Sequence, residues 1–160
     1  MVWRAVSLAV MILLMITIFV FSHQDATQSS DLSGGLTYKI FCLCYPGFEG
    51  LSVEAQEQLL GSAEVFIRKT AHFTLYFFLG TAAFGFYVTF EKFAIFTRAG
   101  LAFLTGVFYA ASDEIHQIYI PGRSGEIRDV LIDSAGVLLA CVILLAVGFL
   151  TNRMKRNRYG

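Results

Sequence analysis

The chain has 160 residues with no net formal charge, 12 basic against 12 acidic, and is 56% hydrophobic with a mean hydropathy of +0.65. That length bounds it to one domain, and nothing in the charge balance argues for a nucleic-acid partner. Three cysteines do not make a disulfide framework: Cys141 falls in an apolar run, and a bond between Cys42 and Cys44, two residues apart, would be strained.

The charges are unevenly placed. Residues 5–22, 73–90 and 134–152 are uncharged runs of 18, 18 and 19, and 99–112 is a run of 14. A helix rises about 1.5 Å per residue and the hydrocarbon core of a bilayer is about 30 Å thick. Three runs therefore come close to spanning it unaided, and the fourth covers only about 21 Å. It spans only if it continues through Asp113, Glu114 and His116 towards Ile120. Ionisable groups at that depth are costly and mark a candidate functional site.

In chain order, the first span is expected over residues 3–22. It is longer than a signal-peptide core and lacks an A-x-A-like site, so it reads as a retained anchor. An outer segment, 23–67, follows. Its start, "SHQDATQSSDLSGGLTYKI", reads as a loop, and "LTYKIFCLCYPGFEG" as an interfacial stretch ending at Pro46-Gly47. Residues 52–67 predict an amphipathic helix at the membrane surface, capped by Ser52, leading into a second span over 68–90. The third and fourth spans are expected over 99–120 and 126–150, joined by the turn "IPGRSG" with Ser124 as helix cap, and 151–160 is a tail. The fold class is thus an all-α integral membrane protein with four transmembrane helices and an extracytoplasmic amphipathic helix between the first two. Gly80, Gly85, Gly100, Gly106, Gly136 and Gly148 are candidates for close helix contact.

Orientation follows from the basic residues. With the N-terminus inside, Arg4, Lys92, Arg98, Arg153, Lys155, Arg156 and Arg158 are cytoplasmic, against Lys39, Arg68, Lys69, Arg123 and Arg128 outside. Both termini are expected in the cytoplasm, and of the acids only Glu91 joins them.

Residues three or four apart share a helix face. Arg68, His72 and Tyr76 form such a stripe on the second span. Tyr109, Asp113, His116 and Gln117 form one on the third, and Asp129 and Asp133 one on the fourth. All lie at one membrane level, and because lipid penalises charge they are expected to face one another. Around the turn, Arg123 and Arg128 join Arg68 and Lys69 near a helix N-terminus, a combination suited to phosphate. Each group also has a plainer reading. Lys69 can snorkel to headgroups, the histidines can be packing residues, the aspartates can neutralise the arginines, the tyrosines can be interface aromatics, and Glu114, on a different face from Asp113, can be solvated.

Three segments carry a family resemblance: "FSHQDATQSSDLS" (21–33), "RKTAHFTLYFFLG" (68–80) and "SDEIHQIYIPGRSGEIRDVLIDSAG" (112–136). In order, spacing and placement against the spans they resemble the VanZ family of bacterial membrane proteins. The resemblance covers about residues 5–150 and carries the family's motif positions onto Gln24, Ser33, Arg68, Lys69, His72, Tyr76, Asp113, Glu114, His116, Gln117, Arg123, Asp129 and Asp133. Family members often have Ser where His23 stands. The resemblance implies a protein of the bacterial cytoplasmic membrane with a role in the cell envelope or in resistance to teicoplanin-type glycopeptides.

Two functions compete. In an enzyme acting on a lipid-linked or phosphate-bearing substrate, Arg68, Arg123 and Arg128 hold phosphate and His72 or His116 moves protons, oriented by Asp113 or Asp133. In a non-catalytic binder, the same pocket holds a lipid headgroup or a glycopeptide, or docks an envelope protein; candidate partners overall are the lipid bilayer and a lipid-linked cell-wall precursor or phospholipid headgroup. A metal on His116, Asp113 and Asp133 is weighed but not assigned, since D-x-x-H and D-x-x-x-D are spacings of low specificity. No cofactor or oligomeric state is assigned. A proton-coupled transporter is disfavoured, because no ionisable residue lies in the inner half of any span.

Overall fold

The computed structural model describes residues 2–159, with side chains throughout except those of 26–32 and 152–159. Five α-helices follow one another: α1 (Val2–Ser22), α2 (Ala26–Cys44), α3 (Val53–Val88), α4 (Ile95–Gln117) and α5 (Ile127–Tyr159), with a 3-10 turn at Phe48–Gly50. No strand occurs among the described residues. Four helices are long and apolar enough to cross a membrane: α1, α3, α4 and the Ile127–Thr151 part of α5. Their outward faces carry large bare apolar side chains, among them Leu13, Phe108 and Leu131, each more than 60% exposed, as suits a lipid solvent rather than water.

The four long helices alternate in direction around one core. Arg4 at the start of α1 lies over the Phe90 ring, 3.8 Å from its centroid, just past the end of α3. Arg98 in the first turn of α4 donates to the Glu91 carbonyl at 2.8 Å. The other end of the bundle gathers the end of α1, the first half of α3, the end of α4 and the start of α5. It carries most of the polar side chains and is called the polar end below.

Small residues set the helix spacing. Val137 of α5, fully buried, seats against Gly80 of α3 and Gly106 of α4. A Cβ on Gly106 would lie 2.5 Å from the Val137 side chain, and one on Gly136 would lie 2.4 Å from the Phe73 carbonyl oxygen. Backbones of α3 and α5 therefore meet directly, a packing open only to glycine. Gly85 makes ordinary contact with Ser7 of α1. Gly100 and Gly148, expected at helix contacts, face open space with nothing within 4 Å of a built Cβ. Cys141 is buried and donates weakly to the Ala99 carbonyl, in keeping with its reading as a packing residue. All three cysteines are free.

Three expectations about elements change. The Ser- and Gly-rich stretch after α1 is not a loop but helix α2. Packing overrides its composition. Thr37 is fully buried, Ser33 donates to Glu64 of α3 at 2.8 Å, and a Cβ on Gly34 would be 3.8 Å from the Glu64 carboxylate. Second, the amphipathic stretch and the second span are one unbroken helix of 36 residues, about 54 Å long. The Glu64–Arg68 pair, at 2.7 Å and one turn apart, bridges the expected boundary. Ser52 does cap this helix, accepting from the Ala55 amide at 3.4 Å. Third, α5 begins at Ile127, so Ser124 lies too far upstream to cap it. The basic side chains expected in the C-terminal tail lie outside the described residues.

Candidate functional site

The third span continues through Asp113, Glu114 and His116 and ends at Gln117, as its length requires. This places carboxylates of α4 beside the polar stripes of α3 and α5. Between the three helices and the 118–126 turn lies a cavity of about 220 Å³. Its wall takes Arg68, Lys69 and His72 from α3, Glu114 and Gln117 from α4, Arg123, Ser124 and Glu126 from the turn, and Asp129 and Asp133 from α5. Gly122, with a φ of 75°, turns the chain at its rim in a conformation that side-chain-bearing residues rarely adopt.

Most charges here are committed to partners. Lys69 pairs with Asp129 and, at 3.8 Å, with Glu126. Arg68 pairs with Glu64 and donates to Ser33 at 3.3 Å. Glu114 is buried rather than solvated, and it accepts the Glu126 amide at 2.6 Å, fastening the turn to α4. Arg123 differs: its guanidinium donates to the neutral side-chain oxygen of Gln117 at 2.8 Å. Burial, and then the positive charge of Arg68, push the Arg123 guanidinium below its ordinary value. Three cations, Arg68, Lys69 and Arg123, thus face a shared space with the carboxylates of Glu114, Glu126, Asp129 and Asp133.

Beneath the cavity lies a more deeply buried group. Asp113 and Asp133 are 4% and 2% exposed. The Asp113 Oδ2 accepts from Ser22 at 2.7 Å and from Gln117 at 3.3 Å. His72 Nδ1 stands 3.9 Å from Asp133 Oδ2, a charge-pair distance too long for a hydrogen bond. One donor atom from each of His72, Asp113 and Asp133 lies within 4.8 Å of the other two. Tyr76 sits one turn deeper on α3, fully buried, with its ring 6.2 Å from that of Tyr109. Tyr109 in turn donates to the Met15 carbonyl of α1.

Two expected members stand apart. His116 turns away from the cavity towards α1, where its Nε2 is 3.2 Å from His23 Nδ1 and its ring packs 4.7 Å from Phe19. The histidine beside Asp113 and Asp133 is therefore His72, not the His116 of the weighed metal set. Arg128 is exposed and does not line the cavity. Both departures are a matter of helix phase. His116 is three residues from Asp113, which leaves it 60° short of a full turn, and Arg128 precedes Asp129 by one residue.

Sequence reasoning missed Ser22, Glu64 and the contact of His23 with His116. Glu64 was legible as an i, i+4 partner of Arg68. Ser22 and His23 stand within the "FSHQD" segment that ends α1, whose side chains had no assigned place against α4.

No curated protein and no solved structure matches this chain. The family model described as VanZ/LLP1 matches residues 7–149, which takes in all of α3 and α4, most of α1 and α5, and every side chain of the polar cavity. The chain belongs to the VanZ/LLP1 family.

Proposed function

We propose that this is a multi-pass protein of the bacterial cytoplasmic membrane whose polar end lies at the outer leaflet and holds a phosphate-bearing headgroup. The observation that carries the reading is the juxtaposition of Arg68 and Arg123 on a half-buried cavity, with the Arg123 guanidinium bound only to a neutral amide oxygen among the described contacts. Two neighbouring guanidiniums repel each other, and an anionic phosphate between them relieves that repulsion with charge-assisted hydrogen bonds. The headgroup belongs to a phospholipid or a lipid-linked cell-wall precursor. Holding either places the protein in envelope biology, where a change in lipid-linked precursor handling alters sensitivity to teicoplanin-type glycopeptides. Orientation rests on Arg4, Lys92 and Arg98 at the opposite end of the bundle, which the positive-inside rule places in the cytoplasm with both termini.

The test is native mass spectrometry of delipidated protein titrated with phosphatidylglycerol, with an isoprenoid pyrophosphate, and with an uncharged diacylglycerol. Phosphate-bearing lipids are expected to bind, and Arg123→Ala to weaken them at least about tenfold, as loss of a charge-assisted bond of 1.5–3 kcal/mol implies. Equal retention of diacylglycerol, or no effect of Arg123→Ala, rejects the reading.

A catalytic reading has one observation in its favour: His72, a residue suited to proton transfer, lines the same cavity as Arg123 and stands beside Asp133. It requires turnover of an isoprenoid pyrophosphate or phospholipid that disappears in His72→Gln. Absence of turnover with and without divalent metals, together with unchanged lipid binding in His72→Gln, leaves binding alone.

A further inference from the structure

Asp113 and Asp133 raise a question that the headgroup reading does not answer. They are almost completely buried, and Oδ1 of each has no hydrogen-bond partner among the described residues. The Tyr76 hydroxyl, on a fully buried side chain within electrostatic reach of both acids, also has none. Buried polar atoms are almost always partnered, because leaving one bare costs about 1–3 kcal/mol. The two bare carboxylate oxygens, on neighbouring helices, therefore point to something that they jointly hold, and the Tyr76 hydroxyl adds to the unpartnered groups. The carboxylates also repel each other, and among the described residues only His72 stands at charge-pair distance from one of them, Asp133: Lys69 pairs with Asp129 and Glu126, and Arg123 binds Gln117.

We propose that His72, Asp113 and Asp133 form a site for one divalent transition cation of the zinc or manganese class. The donors come from three different helices, α3, α4 and α5, and one atom of each lies within 4.8 Å of the others. An imidazole with two carboxylates is a mixed nitrogen and oxygen set, which suits zinc and manganese better than calcium or magnesium. Ligands on a tetrahedral ion at about 2.1 Å stand about 3.4 Å apart. The His72–Asp133 distance of 3.9 Å is close to that, and with all three atoms within 4.8 Å of one another the set closes by side-chain movements of at most about 1.4 Å. Outer partners exist too. Ser22 and Gln117 both donate to Asp113 Oδ2, which fixes that carboxylate and leaves Oδ1 for the ion. His72 and Asp133 line the cavity, so an ion there is reached from it and keeps a coordination position facing it. The site stands on its own geometry, whatever the cavity holds.

Mn²⁺ titration of detergent-solubilised, metal-stripped protein, followed by electron paramagnetic resonance, tests this with the ion alone. One Mn²⁺ is expected per chain, with spin-echo modulation from a single imidazole nitrogen and displacement by Zn²⁺. Asp113→Asn, Asp133→Asn and His72→Gln should each weaken binding at least about tenfold. His116→Gln and Arg123→Ala should retain it, and retention in Arg123→Ala separates the ion from the headgroup. Failure of the wild-type chain to bind one equivalent overturns the proposal, as does an echo signal without nitrogen coupling. The second needs no variant to fold. Loss of Mn²⁺ in His116→Gln to the same degree as in His72→Gln also overturns it.

Discussion

Gly136→Ala tests whether the contact between α3 and α5 holds the polar groups together. The added Cβ would meet the Phe73 carbonyl oxygen at 2.4 Å and the Phe77 amide nitrogen at 3.1 Å, whereas ordinary contact begins at 3.4 Å. Both obstacles are backbone, so no rotamer change clears them, and α5 has to retreat by about 1 Å. Overpacking of this kind costs about 1–3 kcal/mol, with the upper end expected against backbone. Alanine's better helix propensity returns about 1 kcal/mol. The net loss is about 2 kcal/mol, a fall in Tm of roughly 4–8 °C for a chain of this length. Gly136 follows Asp133 by less than one turn, and Phe73 adjoins His72, so the same retreat widens the His72–Asp133 gap and should weaken Mn²⁺ binding. The assay is thermal unfolding in detergent beside Gly148→Ala and Gly100→Ala, whose built Cβ atoms have nothing within 4 Å. Those controls should match the wild type or exceed it by up to about 1 kcal/mol. A Gly136→Ala protein that melts with the controls and binds Mn²⁺ like the wild type would refute the reasoning.

Other substitutions separate the remaining contributions. Val137→Ala removes two buried carbons from the notch formed by Gly80 and Gly106, and should lower stability by about 1–3 kcal/mol in the same melt. Ser22→Ala strips a donor from the buried Asp113 carboxylate, with an expected loss of about 1.5–3 kcal/mol. Lys69→Ala should cost no more than about 1 kcal/mol, because its side chain and its partners Asp129 and Glu126 are all at least 29% exposed. A single cysteine at Ser124, an exposed position on the turn, should react with a membrane-impermeant thiol reagent on intact cells in a background lacking the native cysteines. Labelling only after the membrane is broken would invert the proposed orientation.

Much of the architecture was legible because a bilayer leaves little freedom. The uncharged run at 99–112 is too short to span, and that arithmetic alone carries α4 through Asp113 to Gln117. Composition failed where packing outweighed it. The serines and glycines of α2 read as loop, yet Ser33 ties that helix to Glu64 of α3 by a hydrogen bond. The boundary expected between residues 67 and 68 is absent, because Glu64 and Arg68 satisfy each other along one continuous helix. Periodicity brought His72, Asp113 and Asp133 to one level, but a shared level does not fix which neighbour each residue meets. His116 meets His23, and Gln117 reaches Ser22 and Asp113, because α1 packs against α4 there. The sequence alone does not encode that α1–α4 contact in any local pattern.

The most direct test of headgroup binding is a dipolar measurement between lipid phosphorus and arginine nitrogen. Protein labelled with ¹⁵N at arginine is reconstituted in phosphatidylglycerol bilayers, and the signals are assigned with Arg68→Lys and Arg123→Lys variants. Guanidinium nitrogens of Arg123 and Arg68 are expected to dephase strongly under ³¹P recoupling, as direct contact with one phosphate requires. Dephasing confined to arginines outside the cavity, such as Arg128 and Arg4, with Arg123 silent, would contradict it.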